Sequence, residues 1–159
     1  MSLERITEYF RKLNMEDRIS VFDVSSATVD LAAEALGVDG ALICKTLSFK
    51  GPDNTCILVQ AAGDTKIDNH KFKETFGLKA KMLSGDEVYE YTGFRIGGVC
   101  AFDITNPDVK IYVDESVKRF EYIYPACGSS NSAVRLTPDE LFTCSKAISF
   151  VDVCKLKEE

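Results

Sequence analysis

Histidine occurs once in the chain, at position 70, and none of its cysteines stands in a CxxC pair. A zinc site built from these two residue types is therefore not expected. Nor is a Ser-His-Asp catalytic set. His70 falls in DNHKFKETFG, a helical pattern whose apolar face is Phe72 and Phe76 at i and i+4, and that leaves the imidazole toward solvent. The six cysteines, Cys44, Cys56, Cys100, Cys127, Cys144 and Cys154, are scattered, mostly inside apolar patterns. They read as small buried hydrophobes in a reducing compartment. No metal and no cofactor is expected.

Long hydrophobic runs are also missing. No stretch approaches the roughly 18 apolar residues of a membrane span, and the N-terminal MSLERITEYFRKLNMEDR has no signal-peptide core. The expectation is a cytoplasmic protein without membrane association. Positive charge is in deficit too: the formal net charge of −6 argues against general affinity for nucleic acid. The charge is unevenly placed, however. Residues 44–81 hold seven lysines (45, 50, 66, 71, 73, 79 and 81) against four acids (Asp53, Asp64, Asp68 and Glu74), while both flanking segments are acidic. That island is either a solvated face or a landing site for phosphates.

What the chain does contain is one domain's worth of mixed elements, 45 % hydrophobic and 28 % charged over 159 residues. Ser2 caps a first helix with Leu3, Ile6, Phe10 and Leu13 at helical spacing. ISVFDV reads as a strand, and Thr28 opens a helix, TVDLAAEALG, that Gly37 ends. ICKTLSFK and TCILVQA, joined by GPDN, predict an antiparallel hairpin. DNHKFKETFG is a helix and LKAKMLS a strand with alternating lysines. SGDEVYEYTG carries a capping box, Ser84 with Glu87. VKIYV, EYIYPA, SAVRLT and AISFVDV are strands, and TPDELFTCS is a helix announced by Thr137, Pro138 and Glu140. Without regular βα alternation, the expected fold is α+β, a mixed, largely antiparallel sheet with outer helices.

Four stretches do not read as pure scaffold. In ALICKTLSFK, strand alternation sets Lys45 with Ile43, Leu47 and Phe49 on the oilier face, where an ammonium must reach water, find an anion or lose its proton. GFRIGGVCAFD gathers Gly93, Gly97 and Gly98 in one loop, where another molecule can approach the backbone closely. YPACGSSNSAV follows Gly128 with Ser129, Ser130, Asn131 and Ser132, a source of backbone N–H groups and small hydroxyls for an anionic or carbonyl oxygen. QAAGDTKID sets Asp64 at a strand end beside Lys66.

The order AxICKTL, a strand ending in GD, a helix, SxDEVxEYTGFxxGGV, a DES segment and a glycine turn before RLTPDEL resembles the YbaK/EbsC family over residues 28–153. These are free-standing relatives of the editing domain inserted in bacterial prolyl-tRNA synthetases. The resemblance implies a partly barrel-like mixed sheet surrounded by helices, with residues 1–159 as one editing domain and its first helix (1–18) outside the best-matching region. It implies trans-editing, hydrolysis of the ester joining a wrong amino acid to the 3′-terminal adenosine of tRNA, with alanine or cysteine on tRNA(Pro) as the expected substrate. The partners it implies are the tRNA acceptor end and, as a docking candidate, prolyl-tRNA synthetase. The family lysine of its KT motif falls on Lys45, next to Thr46. The glycine loop, preceded by Phe94, falls on Gly97, Gly98, Val99, Cys100 and Ala101, and the glycine turn on Gly128 with Ser129 and Ser130. Asp64, Lys66 and Asp114 lie in matching segments. The loop departs from the family's pattern: Cys100-Ala101 replaces the usual Ser-Pro, which leaves pocket size and amino-acid preference open.

An aminoacyl ester is already activated, so positioning water, carbonyl and ribose supplies much of the rate. Lys45 would meet the 3′-terminal phosphate or the developing oxyanion, with backbone N–H groups of the two glycine turns as further donors. Two other classes stay open: a module that binds aminoacyl-tRNA or a synthetase without hydrolysis, and a small-molecule hydrolase using Cys100 or Cys127 as nucleophile.

Overall fold

The computed structural model describes residues 2–157; Met1 and the two final glutamates, counted above in the domain span and the charge, lie outside it. Five helices run Ser2–Lys12 (α1), Val29–Leu36 (α2), Asn69–Phe76 (α3), Gly85–Thr92 (α4) and Pro138–Cys144 (α5). The strands are Ile19–Val21 (β1), Ile43–Lys50 (β2), Cys56–Ala62 (β3), Thr65–Ile67 (β4), Val109–Asp114 (β5), Tyr124–Pro125 (β6), Ser132–Val134 (β7), Ser149–Val151 (β8) and Cys154–Leu156 (β9). One tight turn organises the centre. Asp53 and Asn54 both take positive φ (54° and 60°), a conformation these two residue types tolerate, and so β2 folds back on β3. The register runs from Cys44 opposite Ala62 to Lys50 opposite Cys56.

Around this hairpin the central sheet has the order β6-β2-β3-β5-β8. Its three other pairings are parallel, and the two-stranded sheets β1-β7 and β4-β9 are antiparallel. The fold is thus mixed α/β. β3 is buried along its whole length, as a strand covered on both faces must be. One core contains Ile6 and Phe10 of α1 with Leu141 and Cys144 of α5, so the first helix is packing material. A second core takes Phe49, Val59 and Phe72 of α3.

The caps expected of Thr28, Ser84 and Thr137 all form, and the latter two are complete capping boxes. All six cysteines are buried with free thiols. LKAKMLS is not a strand: it touches the sheet at one bridge, Met82 against Phe49, because its lysines point to water while Leu78 and Ala80 turn into the second core. EYIYPA and SAVRLT shrink to β6 and β7. The AISFVDV strand ends at Val151, and a further strand, β9, follows it to pair with β4.

Candidate active site

β6 accompanies β2 only along Ile43 and Cys44, and Met82 meets β2 again at Phe49. Between those contacts the edge of β2 has no strand beside it, and a cavity of about 260 Å³ occupies the gap. It is lined by Lys45, Thr46 and Ser48 of β2, by Thr28 and Val29 at the start of α2, by Gly97 and Val99, and by Ser132 and Ala133 of β7. That is below the roughly 300–1,000 Å³ of drug-sized ligand sites, so only a small group fits inside.

Three loops are locked together as its wall. The Ser26 N–H donates to the Ser130 carbonyl (2.6 Å), and the Asn131 amide donates to the Phe22 carbonyl (3.0 Å). Gly97 has φ +95° and lies against Ala27, where a Cβ would be 3.1 Å from the alanine methyl. Gly98 abuts the backbone of Ser129 so closely that a Cβ would fall 2.8 Å from its Cα. The Gly98 N–H is spent on the Arg95 carbonyl (3.0 Å). Among the described residues no acceptor meets the N–H of Gly97 or Val99, which leaves these two as donors for a ligand oxygen.

Lys45 borders the cavity, yet its ammonium donates to the Thr65 carbonyl at the start of β4. Burial first, then the positive charge of Lys157, push this lysine below the ordinary range, and Cys154 and Asp64 pull partly against them. One of its three donors is used.

The other residues singled out in the sequence separate from the cavity. Gly128 (φ +92°) packs on the start of α1, and with Ser129 it lines a different hollow beside Arg5 and Arg95. Ser130 is exposed. Asp64 is held bidentately by Arg119 (2.6 and 3.0 Å), which sets its carboxyl below the usual aspartate range, while Lys66 faces solvent. Asp114 is buried and accepts from the Ser116 and Val153 N–H groups, both at 2.9 Å, a fold-stabilising role. Phe94, Cys100 and Ala101 are core residues. Burial raises the Cys127 thiol to about 12 and moves Cys100 further the same way, so neither has thiolate character. His70 is exposed on α3, 3.0 Å from Glu74. Of the lysine island, Lys66, Lys73, Lys79 and Lys81 are exposed, and Lys71 is paired with Asp152.

Ser48 was absent from the sequence-based set. Its signal was the strand period that already placed it on one face with Thr46. The oilier face of β2, which drew attention to Lys45, is largely absorbed by the second core; the cavity opens at the edge, where the hydroxyl-bearing face is accessible.

Comparison with known proteins gives a consistent picture. The sequence model of the aminoacyl-tRNA editing domain matches residues 24–144, a span that includes every residue lining the cavity. An uncharacterized protein of Bacillus subtilis (strain 168), YwhH, is 50 % identical over 155 residues, 98 % of each chain. A solved structure described as a proposed trans-editing enzyme for prolyl-tRNA synthetase superposes with TM-score 0.84 at 28 % identity, covering 99 % of this chain and 98 % of its own. The hypothetical protein APE2540 superposes with TM-score 0.77 at 28 % identity, over 87 % of this chain and 91 % of its own.

Proposed function

The chain belongs to the aminoacyl-tRNA editing domain family, and on that premise we propose that it is a trans-editing deacylase that removes a small, wrongly attached amino acid from tRNA. The observation that carries this reading is the cavity: all of its lining lies within the family match, and it has room for an aminoacyl group. The finer reading is alanine or cysteine on tRNA(Pro), supported by the likeness to a structure described as acting for prolyl-tRNA synthetase.

In this mechanism the ester carbonyl lies against residues 97–99, where the N–H groups of Gly97 and Val99 receive the oxygen as it becomes an oxyanion. Lys45 holds the 3′-terminal phosphate: its flexible four-carbon stem lets the ammonium exchange the Thr65 carbonyl for the stronger, charged acceptor. Water held by the substrate's own ribose hydroxyl and the loop backbone adds to the carbonyl carbon. Collapse of the intermediate breaks the bond to the ribose oxygen, which leaves as a hydroxyl carrying a proton from that water. The gain comes from positioning, on the order of the effective molarities of well-oriented reactions. The exposed lysines 66, 73, 79 and 81 supply a weak, salt-sensitive approach surface for the acceptor stem.

The test is deacylation of tRNA(Pro) charged with alanine, cysteine or proline. Loss of the first two above the buffer rate, with prolyl-tRNA spared, is expected. No turnover of any charged tRNA, with binding retained, would instead identify a non-catalytic binding module.

A further inference from the structure

Two hydroxyls in the cavity have nothing to do in the folded chain. Thr46 and Ser48 stand two residues apart on one face of β2, and both line the cavity. Ser48 is 7 % exposed, and among the described residues neither hydroxyl meets a hydrogen-bond partner. The neighbouring polar groups differ: Thr28 caps α2, Ser26 is tied to the Ser130 carbonyl, and Ser132 is paired with Ser129 at 2.7 Å. Neither hydroxyl is sealed away from the cavity, since among the described residues the one sealed side-chain polar atom without a partner is Gln60 Oε1; a free hydroxyl on a cavity wall points to what the cavity receives.

Water can occupy these positions only while the cavity is open. When an aminoacyl group displaces it, an alanyl methyl leaves both hydroxyls desolvated and unpaired, which the enzyme must offset from other contacts. A seryl side chain has the same carbon skeleton plus one oxygen, which can donate to one of the two hydroxyls and accept from the other. Cysteine's thiol is a poor substitute in both directions. A site that hydrogen-bonds a substrate hydroxyl discriminates against the analogue lacking it far better than an apolar pocket separates one methylene. We propose that Thr46 and Ser48 are specificity-determining residues that select a hydroxyl-bearing aminoacyl group, and that seryl esters are cleaved ahead of alanyl and cysteinyl esters in this cavity. The proposal rests on the deacylase reading and changes the order of preference among small amino acids within it.

The experiment compares kcat/KM for seryl and alanyl esters on one and the same tRNA, using the intact protein, Ser48→Ala and Thr46→Val, with melting curves for each. The intact protein is expected to prefer serine by about tenfold or more, the effect of one neutral hydrogen bond at the upper end of its range. Each variant is expected to lower the seryl-over-alanyl ratio of kcat/KM by a similar factor, so that the preference collapses. The two variants change the cavity independently, so a folding defect in one leaves the other to decide. Equal seryl and alanyl rates in the intact protein overturn the proposal, as does a uniform loss on both esters, which would mean that the hydroxyls serve the shared amino or ribose group. Cleavage of alanyl-tRNA without serine preference defeats this inference alone. Failure to cleave any aminoacyl-tRNA defeats the deacylase reading beneath it.

Discussion

Gly98→Ala tests whether the two glycine turns work as one wall. The added Cβ would sit 2.8 Å from the Ser129 Cα and 2.9 Å from its N and carbonyl carbon. These are backbone atoms, which cannot swing aside like the end of a long side chain, and Ser129 is further fixed through Asn131 and Ser132. The turns must therefore separate by several tenths of an ångström, at an overpacking cost of about 1–3 kcal/mol. For a chain of this length that corresponds to a fall in Tm of roughly 2–12 °C. The same displacement moves the Gly97 and Val99 N–H groups, and small misplacements of positioning groups reduce turnover by roughly 10–100-fold. Gly77→Ala is the control: its Cβ meets nothing within 4 Å, and only the left-handed backbone (φ +76°) resists it. It should cost about 1–2 kcal/mol and leave kcat unchanged, since Gly77 ends α3 away from the cavity. Thermal unfolding and single-turnover deacylation, measured side by side, read both effects. Gly98→Ala with unaltered Tm and kcat would refute the packing argument.

Three further outcomes are expected. Because the Lys45 ammonium is disfavoured by burial, its stability penalty is present below its lowered native pKa and fades as pH rises toward the ordinary lysine value; Lys45→Met should thus be as stable as the intact protein at pH 7, or more so, in urea unfolding. Asp64, held low by Arg119, contributes above the ordinary aspartate pKa and loses that contribution as pH falls through its native value. Arg119→Ala should accordingly cost no more than about 1 kcal/mol at pH 7, because the pair is partly exposed, and the difference should vanish in acid. Cys100→Ala should leave deacylation intact, and iodoacetamide should modify the native protein slowly, as a buried thiol with a raised pKa requires; inactivation by either would revive a thiol mechanism.

Much of the local structure was legible because its causes are local. Ser84 with Glu87, and Thr137 with Pro138 and Glu140, specify helix starts within four residues, and the Asp53-Asn54 turn specifies a hairpin. The alternating lysines of LKAKMLS imitated a strand, but a period of two names no partner, and β2 accepts this segment only at Met82. β4 and β9 escaped notice because three-residue strands carrying Lys66, Lys155 and Leu156 toward solvent leave no apolar pattern. The parallel pairings of β3, β5 and β8 depend on tertiary packing that spacing does not encode. At the site, the family motif singled out Lys45, Thr46, Gly97 and Val99, all of which border the cavity. It could not single out Ser48, which lies outside the motif and joins the cavity only through the edge that β2 leaves open.

The most direct measurement is the single-turnover hydrolysis of alanyl-tRNA(Pro) by the intact protein and by Lys45→Ala. Hydrolysis well above the buffer rate is expected for the intact protein and a fall of about 100-fold or more for the variant, the loss typical of a removed charged positioning contact. Equal rates with and without Lys45, or no hydrolysis by the intact protein, would contradict that expectation.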